Sequence, residues 1–190
     1  MVQNSNIVSF DDEKLILIDS NDNVRGYEDK MACHMGEGEL HRAFSIFIFN
    51  EAQELLLQQR SEEKLLWPLI WSNSCCSHPR KGEDYEQAIH RRLNEELGID
   101  TNLKYLFRFE YQARYLDVGS EHELCSVYIG KSNDTIQVNP TEIADWKYIS
   151  IAELNSELEI NPDRYSPWFK MEWARIRQDF MGDVLEKAKG

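Results

Sequence analysis

The stretch that decides the fold, residues 71–99, reads WSNSCCSHPRKGEDYEQAIHRRLNEELGI. It begins as the end of a strand, passes through a polar loop with two cysteines and a histidine, and enters an amphipathic helix. Ile89, Leu93 and Leu97 recur every four residues, which predicts an apolar stripe packed on a core. Gly98 supplies the stop signal for the helix.

The same helix carries a second, polar row beside that stripe. Arg92 and Glu96 follow Ala88 at four-residue spacing, and Arg91 and Glu95 are placed to form an ion pair one turn apart. A loop of reactive side chains that leads into a helix with a guanidinium and a carboxylate along one edge predicts a functional site as well as a scaffold.

Length, composition and net charge limit the class of protein to which this chain can belong. A chain of 190 residues suits one domain, residues 1–190, and can bury a full core. A hydrophobic fraction of 42% is typical of a globular protein. The net charge of −13 argues against nucleic acid or an anionic membrane as the main partner. A site for an anionic substrate therefore requires cations concentrated locally.

The cysteines and the apolar runs predict a reduced, cytoplasmic setting. The four cysteines have no CxxC spacing, and adjacent Cys75 and Cys76 are poor partners for a disulfide. The first residues lack the basic start and apolar core of a signal peptide. The longest apolar run, near residues 65–71, is broken by Pro68 and is too short to span a bilayer.

Periodicity along the chain predicts an α+β fold with a mixed sheet. Strands are expected at residues 15–18, 43–49, 54–60, 69–71, 107–115, 121–129 and 146–149. A short helix is expected to start at Ser150, and a C-terminal helix to cover residues 166–188. Residues 26–40, rich in Glu, Gly and Met, are interpreted as an irregular loop and, because they carry His34, as a lid.

Histidines and carboxylates predict a metal centre. His34, His41 and His78 lie in predicted loops or at strand starts, and Glu121 and Glu123 point to one face of a strand. Such a nitrogen and oxygen set suits Mn²⁺, Fe²⁺, Co²⁺ or Zn²⁺ better than Mg²⁺ alone. The other two histidines are interpreted as structural.

The central segment resembles the Nudix box. The matching residues are Glu83, Arg91, Leu93, Glu95, Glu96, Gly98 and Ile99. Two positions depart from the box: Ser77 stands at its glycine, and Arg92 stands where a glutamate follows the box arginine. The second change removes a Mg²⁺ ligand of Nudix hydrolases, which argues against hydrolysis.

Three further motifs make the resemblance narrower. The segments SNSCCSHP, HRAFS and EHELC are similar to the type 1 isopentenyl-diphosphate isomerase family, over roughly residues 30–168. This resemblance implies a Nudix-like α/β/α sandwich and a small-molecule diphosphate substrate. It implies Mn²⁺ or Zn²⁺ at His34, His41, His78, Glu121 and Glu123, and Mg²⁺ at Glu96, completed by the substrate diphosphate.

The resemblance also implies roles for the other site residues. Lys30, Arg60, Lys64 and Arg92 match positions that hold the diphosphate, and Trp168 matches an indole near the hydrocarbon end. Trp71 and Phe44 are further candidates for that wall. The catalytic residues that it implies are Cys76 on one face of the substrate and Glu123 with Tyr111 on the other. Whether Glu123 or Tyr111 donates the proton is left open.

The expected reaction interconverts isopentenyl and dimethylallyl diphosphate by protonation and deprotonation through a carbocation, which requires an acid, a base and no water. Two alternatives remain: a Nudix hydrolase of an organic diphosphate, and a non-catalytic binding module on the same fold. A monomer or weak dimer is expected.

Overall fold

The computed structural model describes residues 7–187. Within that range nine strands form one mixed sheet: β1 (Lys14–Ile18), β2 (Val24–Asp29), β3 (His41–Phe49), β4 (Glu54–Arg60), β5 (Trp71–Ser72), β6 (Cys75–Ser77), β7 (Leu103–Tyr115), β8 (Gly119–Lys131) and β9 (Ile143–Ser150). The helices are α1 (Lys30–His34), α2 (Tyr85–Leu97), α3 (Ile151–Ile160), α4 (Pro167–Arg175) and α5 (Met181–Lys187), with a 3₁₀ turn at Pro162–Arg164.

Strand β3 lies at the centre of the sheet and is buried on both faces. It pairs in parallel with β8, antiparallel with β6, and also contacts β1 and β4. Phe44 and Ile46 belong to the core cluster that includes α2, whereas Phe47 and Phe49 belong to the cluster that includes α4. Helices therefore cover both faces of the sheet, which confirms the predicted α/β/α sandwich.

The predicted central helix is confirmed as α2. Asp84 accepts a hydrogen bond from the Gln87 amide in a capping box, and Gly98 ends the helix in the left-handed conformation at φ 67°. Arg91 Nη1 lies 3.1 Å from Glu95 Oε2, as the four-residue spacing predicted. Ser150 caps α3 through the Glu153 amide, also as predicted.

The interpretation of residues 26–40 as an irregular loop was wrong. Most of this stretch forms the end of β2 and the whole of α1, and β2 pairs antiparallel with β1. Strand β2 is a mostly exposed edge strand, so its sequence lacks the apolar alternation that marks a half-buried strand. Helix α1 has five residues, too few to show a helical period.

Two further elements differ from the prediction. The polar loop before α2 contains strand β6. The C-terminal helix begins at Pro167 but is interrupted by a π-helical segment, Ile176–Phe180, between α4 and α5. Residue 188 of the predicted helix lies outside the described residues. No described helix is long and apolar enough to cross a membrane.

Candidate active site

Strand register brings the predicted site residues together around Glu123. In the parallel pair β3·β8, His41 is the partner of Glu123; in the antiparallel pair β7·β8, Tyr111 is its partner on the other side. Strand β6 lies against β3 with Cys76 opposite Ser45. Because β3 and β8 are buried in the middle of the sheet, these positions are fixed by backbone pairing.

The five predicted ligands form one buried cluster. His34, His41, His78, Glu121 and Glu123 each offer a ligand atom, and these atoms all lie within 4.8 Å of one another. The three imidazole rings are 4.8–5.3 Å apart between centroids. His78 Nε2 lies 2.8 Å from Glu123 Oε1, and His34 Nε2 lies 2.8 Å from Glu121 Oε2.

Hydrogen bonding within the cluster leaves ligand atoms free. His34 Nδ1 and His41 Nδ1 lie 2.6 and 2.7 Å from the carbonyl oxygens of Lys30 and Glu39, which fixes the rings and leaves each Nε2 as the ligand atom. His41 Nε2 is buried without a hydrogen-bond partner. Unpaired buried atoms are costly, so this donor set fits a divalent ion.

The electrostatics of the cluster place two of its members, His41 and Glu121, in the protonation state of a metal ligand. Burial lowers the pKa of His41 to about 3, which keeps its imidazole neutral. Burial opposes ionisation of Glu121, but His34 beside it holds the pKa of that carboxyl to about 2. A neutral imidazole and an ionised carboxylate are the forms that bind a cation.

Helix α1 reaches the cluster because β8 begins with a glycine. A side chain at Gly119 would place its Cβ 2.2 Å from the His34 carbonyl oxygen, so only glycine allows α1 to lie this close to the sheet. The segment misread as a loop is therefore a short helix that presents His34 from above β8.

Tyr111 and Glu123 form the predicted acid pair. The Tyr111 hydroxyl donates a hydrogen bond of 2.7 Å to Glu123 Oε2. Burial, reinforced by Glu121, raises the pKa of the Glu123 carboxyl well above its ordinary value. Burial also raises the pKa of Tyr111, so its hydroxyl stays protonated.

A cavity of about 420 Å³ joins the predicted residues. Those that line it are Lys30, His34, Arg60, Lys64, Cys76, His78, Arg92, Tyr111, Glu121, Glu123 and Trp168. His41 and Glu96 are not among the lining residues. Cys76 shares the cavity with Tyr111 and Glu123, and burial raises the pKa of its thiol to about 12.

One end of the cavity is rich in cations that already have anionic partners. Arg92 on α2 is buried and forms ion pairs with Glu96 and, at 2.9 Å, with Glu142. Lys64 contacts the same Glu142 oxygen. Glu142 was missed by the sequence analysis, because nothing in its spacing links it to residues far away in the chain.

Glu96, predicted to bind Mg²⁺, sits behind Arg92. Its Oε1 is paired with Arg92 Nη2, and its Oε2 lies 3.4 Å from Gln58 Nε2. An ion at Glu96 therefore requires Arg92 to release Oε1.

The N-terminal segment closes this end and was also missed. Ile7, Ser9 and Asp11 line the cavity, and Lys30 Nζ contacts Ser9 Oγ. The Val8 carbonyl accepts a hydrogen bond of 3.1 Å from Arg92 Nη1.

Aromatic side chains form the opposite wall. Trp168 is nearly fully buried, lies edge-on to Trp67 at 5.3 Å between centroids, and has the Arg60 guanidinium 5.3 Å above its ring. Arg60 also donates to the carbonyl oxygens of Leu66 and Trp67, which holds a turn where Trp67 has a left-handed φ of 48°.

The other two candidates for this wall lie elsewhere. Phe44 packs toward α2 on the far face of the sheet, and Trp71 packs below Lys147. Neither lines the cavity, so these two predictions were wrong.

A further buried carboxyl group lies on α4, close to strand β8. Glu172 on α4 is fully buried, its Oε1 lies 3.5 Å from Cys125 Sγ, and its Oε2 has no hydrogen-bond partner. Burial raises the pKa of Glu172 to about 8, so the side chain is largely protonated at neutral pH.

Comparison with known proteins first defines the class. The NUDIX domain family matches residues 39–169. A solved structure from Deinococcus radiodurans superposes with a TM-score of 0.64 at 24% identity, covering 78% of this chain and 90% of its own. A MutT protein from Methanosarcina mazei gives a TM-score of 0.62 at 17% identity, covering 74% and 94%. These likenesses show the Nudix fold.

Closer relatives define the family within that class. Isopentenyl-diphosphate Delta-isomerase 1 of Photorhabdus laumondii is 44% identical over 169 residues, covering 88% of this chain and 96% of its own length. The isopentenyl-diphosphate Delta-isomerase of Pectobacterium atrosepticum is 44% identical over 164 residues, covering 86% and 90%. The chain belongs to the isopentenyl-diphosphate Delta-isomerase family, as its motifs predicted.

Proposed function

We propose that this protein interconverts isopentenyl and dimethylallyl diphosphate, in a cytoplasmic pathway of isoprenoid biosynthesis. The observation that carries the proposal is one cavity with a thiol, a Tyr–Glu pair and a metal-ligand cluster on its walls and four cationic side chains around it. The relatives that bear the isomerase name support the same reaction.

The two ends of the cavity suit the two ends of such a substrate. Lys30, Arg60, Lys64 and Arg92 hold the diphosphate, with Arg60 reaching it from above the Trp168 ring, and their local positive charge opposes the acidic character of the whole chain. Trp168 lies beside the hydrocarbon, where its ring face attracts a carbocation without reacting with it.

The reaction adds a proton at one carbon and removes one from a carbon two bonds away. The proton comes from the Tyr111–Glu123 side, where a 2.7 Å hydrogen bond connects the two groups. Because the alkene is not activated, the product of this step is a tertiary carbocation. The buried indole rings of Trp168 and Trp67 exclude water that would trap it.

Cys76 takes the second proton from the opposite face. Burial raises the pKa of its thiol to about 12, and the positive charge of Arg60 opposes that rise. To act as the base, Cys76 enters this step as the thiolate, having given its own proton to water before the substrate closes off the cavity; it then accepts the substrate proton and becomes the neutral thiol, which its raised pKa favours. In the reverse direction the two sides exchange roles.

Two divalent ions complete the site in this proposal. His34, His41, His78, Glu121 and Glu123 would hold Mn²⁺ or Zn²⁺. That ion would supply positive charge that strengthens Glu123 as an acid. Glu96, now paired with Arg92, would hold Mg²⁺ together with the substrate's diphosphate.

Hydrolysis and simple binding are less well supported. Arg92 occupies the position of a hydrolase glutamate, and its ion pairs to Glu96 and Glu142 fill that space with a cation. A binding module has no use for a thiol and an acid pair on the walls of one cavity.

Proton NMR in deuterated water tests the proposal. Purified protein with Mg²⁺ and Mn²⁺ should convert isopentenyl diphosphate to deuterium-labelled dimethylallyl diphosphate. Cys76→Ala should lower the rate by about 10²–10⁴-fold, the usual worth of one positioned base. Cys75→Ala is the matched control, because Cys75 is the adjacent thiol and belongs to the core cluster on the α2 face.

The alternatives give different spectra. Phosphate release without a moved double bond would identify a hydrolase. Absence of both reactions after loading with Mn²⁺ or Zn²⁺, together with retained ligand binding, would identify a binding module. Equal losses in the two cysteine variants would remove Cys76 from the mechanism.

A further inference from the structure

Glu142 is a buried acid in the part of the cavity where cationic side chains would bind an anion. It lies in the turn before β9, lines the cavity and is 3% exposed. Its backbone is fixed at both ends, since its amide donates to the Asn139 carbonyl at 3.0 Å and its carbonyl accepts from the Ser61 amide at 2.9 Å. The carboxylate therefore has a set position and does not swing in from solvent.

One oxygen of this carboxylate serves two cations. Glu142 Oε2 contacts Lys64 Nζ and lies 2.9 Å from Arg92 Nη2. Burial works against its charge, but Lys64 and Arg92 hold the pKa of Glu142 to about 2, so it is ionised near neutral pH. A permanent negative charge thus lies where a diphosphate oxygen is expected.

The need for such a charge follows from the crowding of cations. Lys30, Lys64 and Arg92 line the same end of the cavity, and burial together with Lys64 lowers the pKa of Lys30 to about 8. Buried like charges repel and have lost their hydration, so an empty pocket of this kind is unstable without an internal anion.

We propose that Glu142 is the internal counterion of the diphosphate pocket: it holds Lys64 and Arg92 while the pocket is empty and competes with the substrate for them. The inference rests on the proposed function, because it takes a diphosphate as the ligand of this pocket. Competition lowers the affinity for substrate and product alike, which favours release after each turnover. Glu142 touches the binding cations and not the reacting carbons, so it is a positioning residue.

The test measures binding of inorganic diphosphate by calorimetry to the Mn²⁺-loaded protein, beside the kinetics of isomerisation. Glu142→Gln keeps the shape and removes the charge; it should bind inorganic diphosphate about tenfold tighter and lower KM and kcat together. Glu142→Asp keeps the charge and should retain affinity near that of the unchanged protein.

A matched control separates this local effect from net charge. Glu63 is an exposed acid that lines the same cavity, and it forms no ion pair with Lys64 or Arg92 among the described residues. Glu63→Gln should leave diphosphate binding within about twofold, since an exposed charge is screened.

Weaker or unchanged binding by Glu142→Gln would overturn the proposal and leave Glu142 as a scaffold that orients the cations. Thermal unfolding of each variant checks that the protein is folded when binding is measured. Diphosphate binding without isomerisation by the unchanged protein would count against the proposed function and leave the counterion test intact, because the binding comparison does not depend on turnover.

Discussion

The two polar ends of the cavity are built in opposite ways. At the His/Glu cluster, the buried ring nitrogen His41 Nε2 lacks a hydrogen-bond partner. At the cation end, Arg92 and Lys64 already have carboxylate partners in Glu96 and Glu142. The His/Glu cluster is therefore incomplete until an ion binds. The cationic side chains, in contrast, are neutralised by carboxylates before any substrate binds.

This difference matches how long the metal ion and the substrate each stay bound. A resident ion binds once, so the protein gains by leaving its ligands unpaired and ready. A substrate must enter and leave in every turnover, so its cations are better held by a replaceable internal partner. The comparison predicts that the two ends respond differently to substitution.

The largest effect is expected for the cationic side chains, and it does not depend on a bound metal ion or substrate. Arg92→Met leaves the carboxylates of Glu96 and Glu142 buried without the guanidinium between them. Loss of one partner of a buried ion pair typically costs roughly 3–5 kcal/mol. Urea unfolding of the metal-free protein should show this loss in the free energy of unfolding.

The neighbouring arginine is the control for that measurement. Arg91 pairs with Glu83 and Glu95, and its side chain is 18% exposed against 3% for that of Arg92, so Arg91→Met should cost less than Arg92→Met. Similar losses for the two variants would show that Arg92 is no more tightly integrated than its partly exposed neighbour, and the comparison would fail.

An intermediate effect is expected at the metal end, and only when an ion is present. His41→Gln removes one ligand of the cluster. The unchanged protein should gain about 2.7 kcal/mol of unfolding free energy from Mn²⁺ at 100 times its dissociation constant, and the variant should lose most of this gain. Thermal unfolding with and without Mn²⁺ measures it.

His122→Gln is the matched histidine variant, because His122 lies beside Glu123 in sequence but pairs with Glu110 on the other face of β8. It should keep the full stabilisation by Mn²⁺. Loss of that stabilisation in His122→Gln as well would mean that the cluster is not the ion site.

The smallest effect concerns a buried acid that belongs to neither end. Burial raises the pKa of Glu172 to about 8, above that of an unfolded chain, so the folded state retains a proton that the unfolded state releases. The stabilisation that Glu172 contributes is therefore complete below the ordinary glutamate pKa of 4.5 and is lost as the pH rises toward 8. Glu172→Gln should remove this slope and gain about 2 kcal/mol relative to the unchanged protein between pH 5 and pH 7.

Urea unfolding at several pH values measures that slope. The exposed Glu159→Gln variant, on α3, is the control and should follow the unchanged protein at every pH. A constant difference between Glu172→Gln and the unchanged protein across this range would show that Glu172 does not hold a proton in the folded state.

Much of the site could be predicted because its residues carry local signals. Glu121 and Glu123 share a face through the two-residue period of a strand, and Cys76 and His78 belong to a short motif. The structure brings all four together with His34 and His41 around one point. Metal binding and catalysis by these residues stay predictions.

The missed residues have only distant partners. Glu142 meets Lys64 from 78 positions away, and Val8 meets Arg92 from 84 positions away. No periodicity or spacing within one chain reports such contacts. Residues 26–40 were misread for a related reason: β2 exists because β1 pairs with it, and its own sequence is too polar to indicate a strand.

The parallel pairing of β3 with β8 has a consequence for how the chain reaches its native state. Ser45 and Cys125, which meet across these strands, are 80 positions apart, so a long loop must close before the pairing forms. His41 and Glu123 become neighbours only through that pairing. We therefore expect a divalent ion bound at the cluster to slow unfolding without speeding folding.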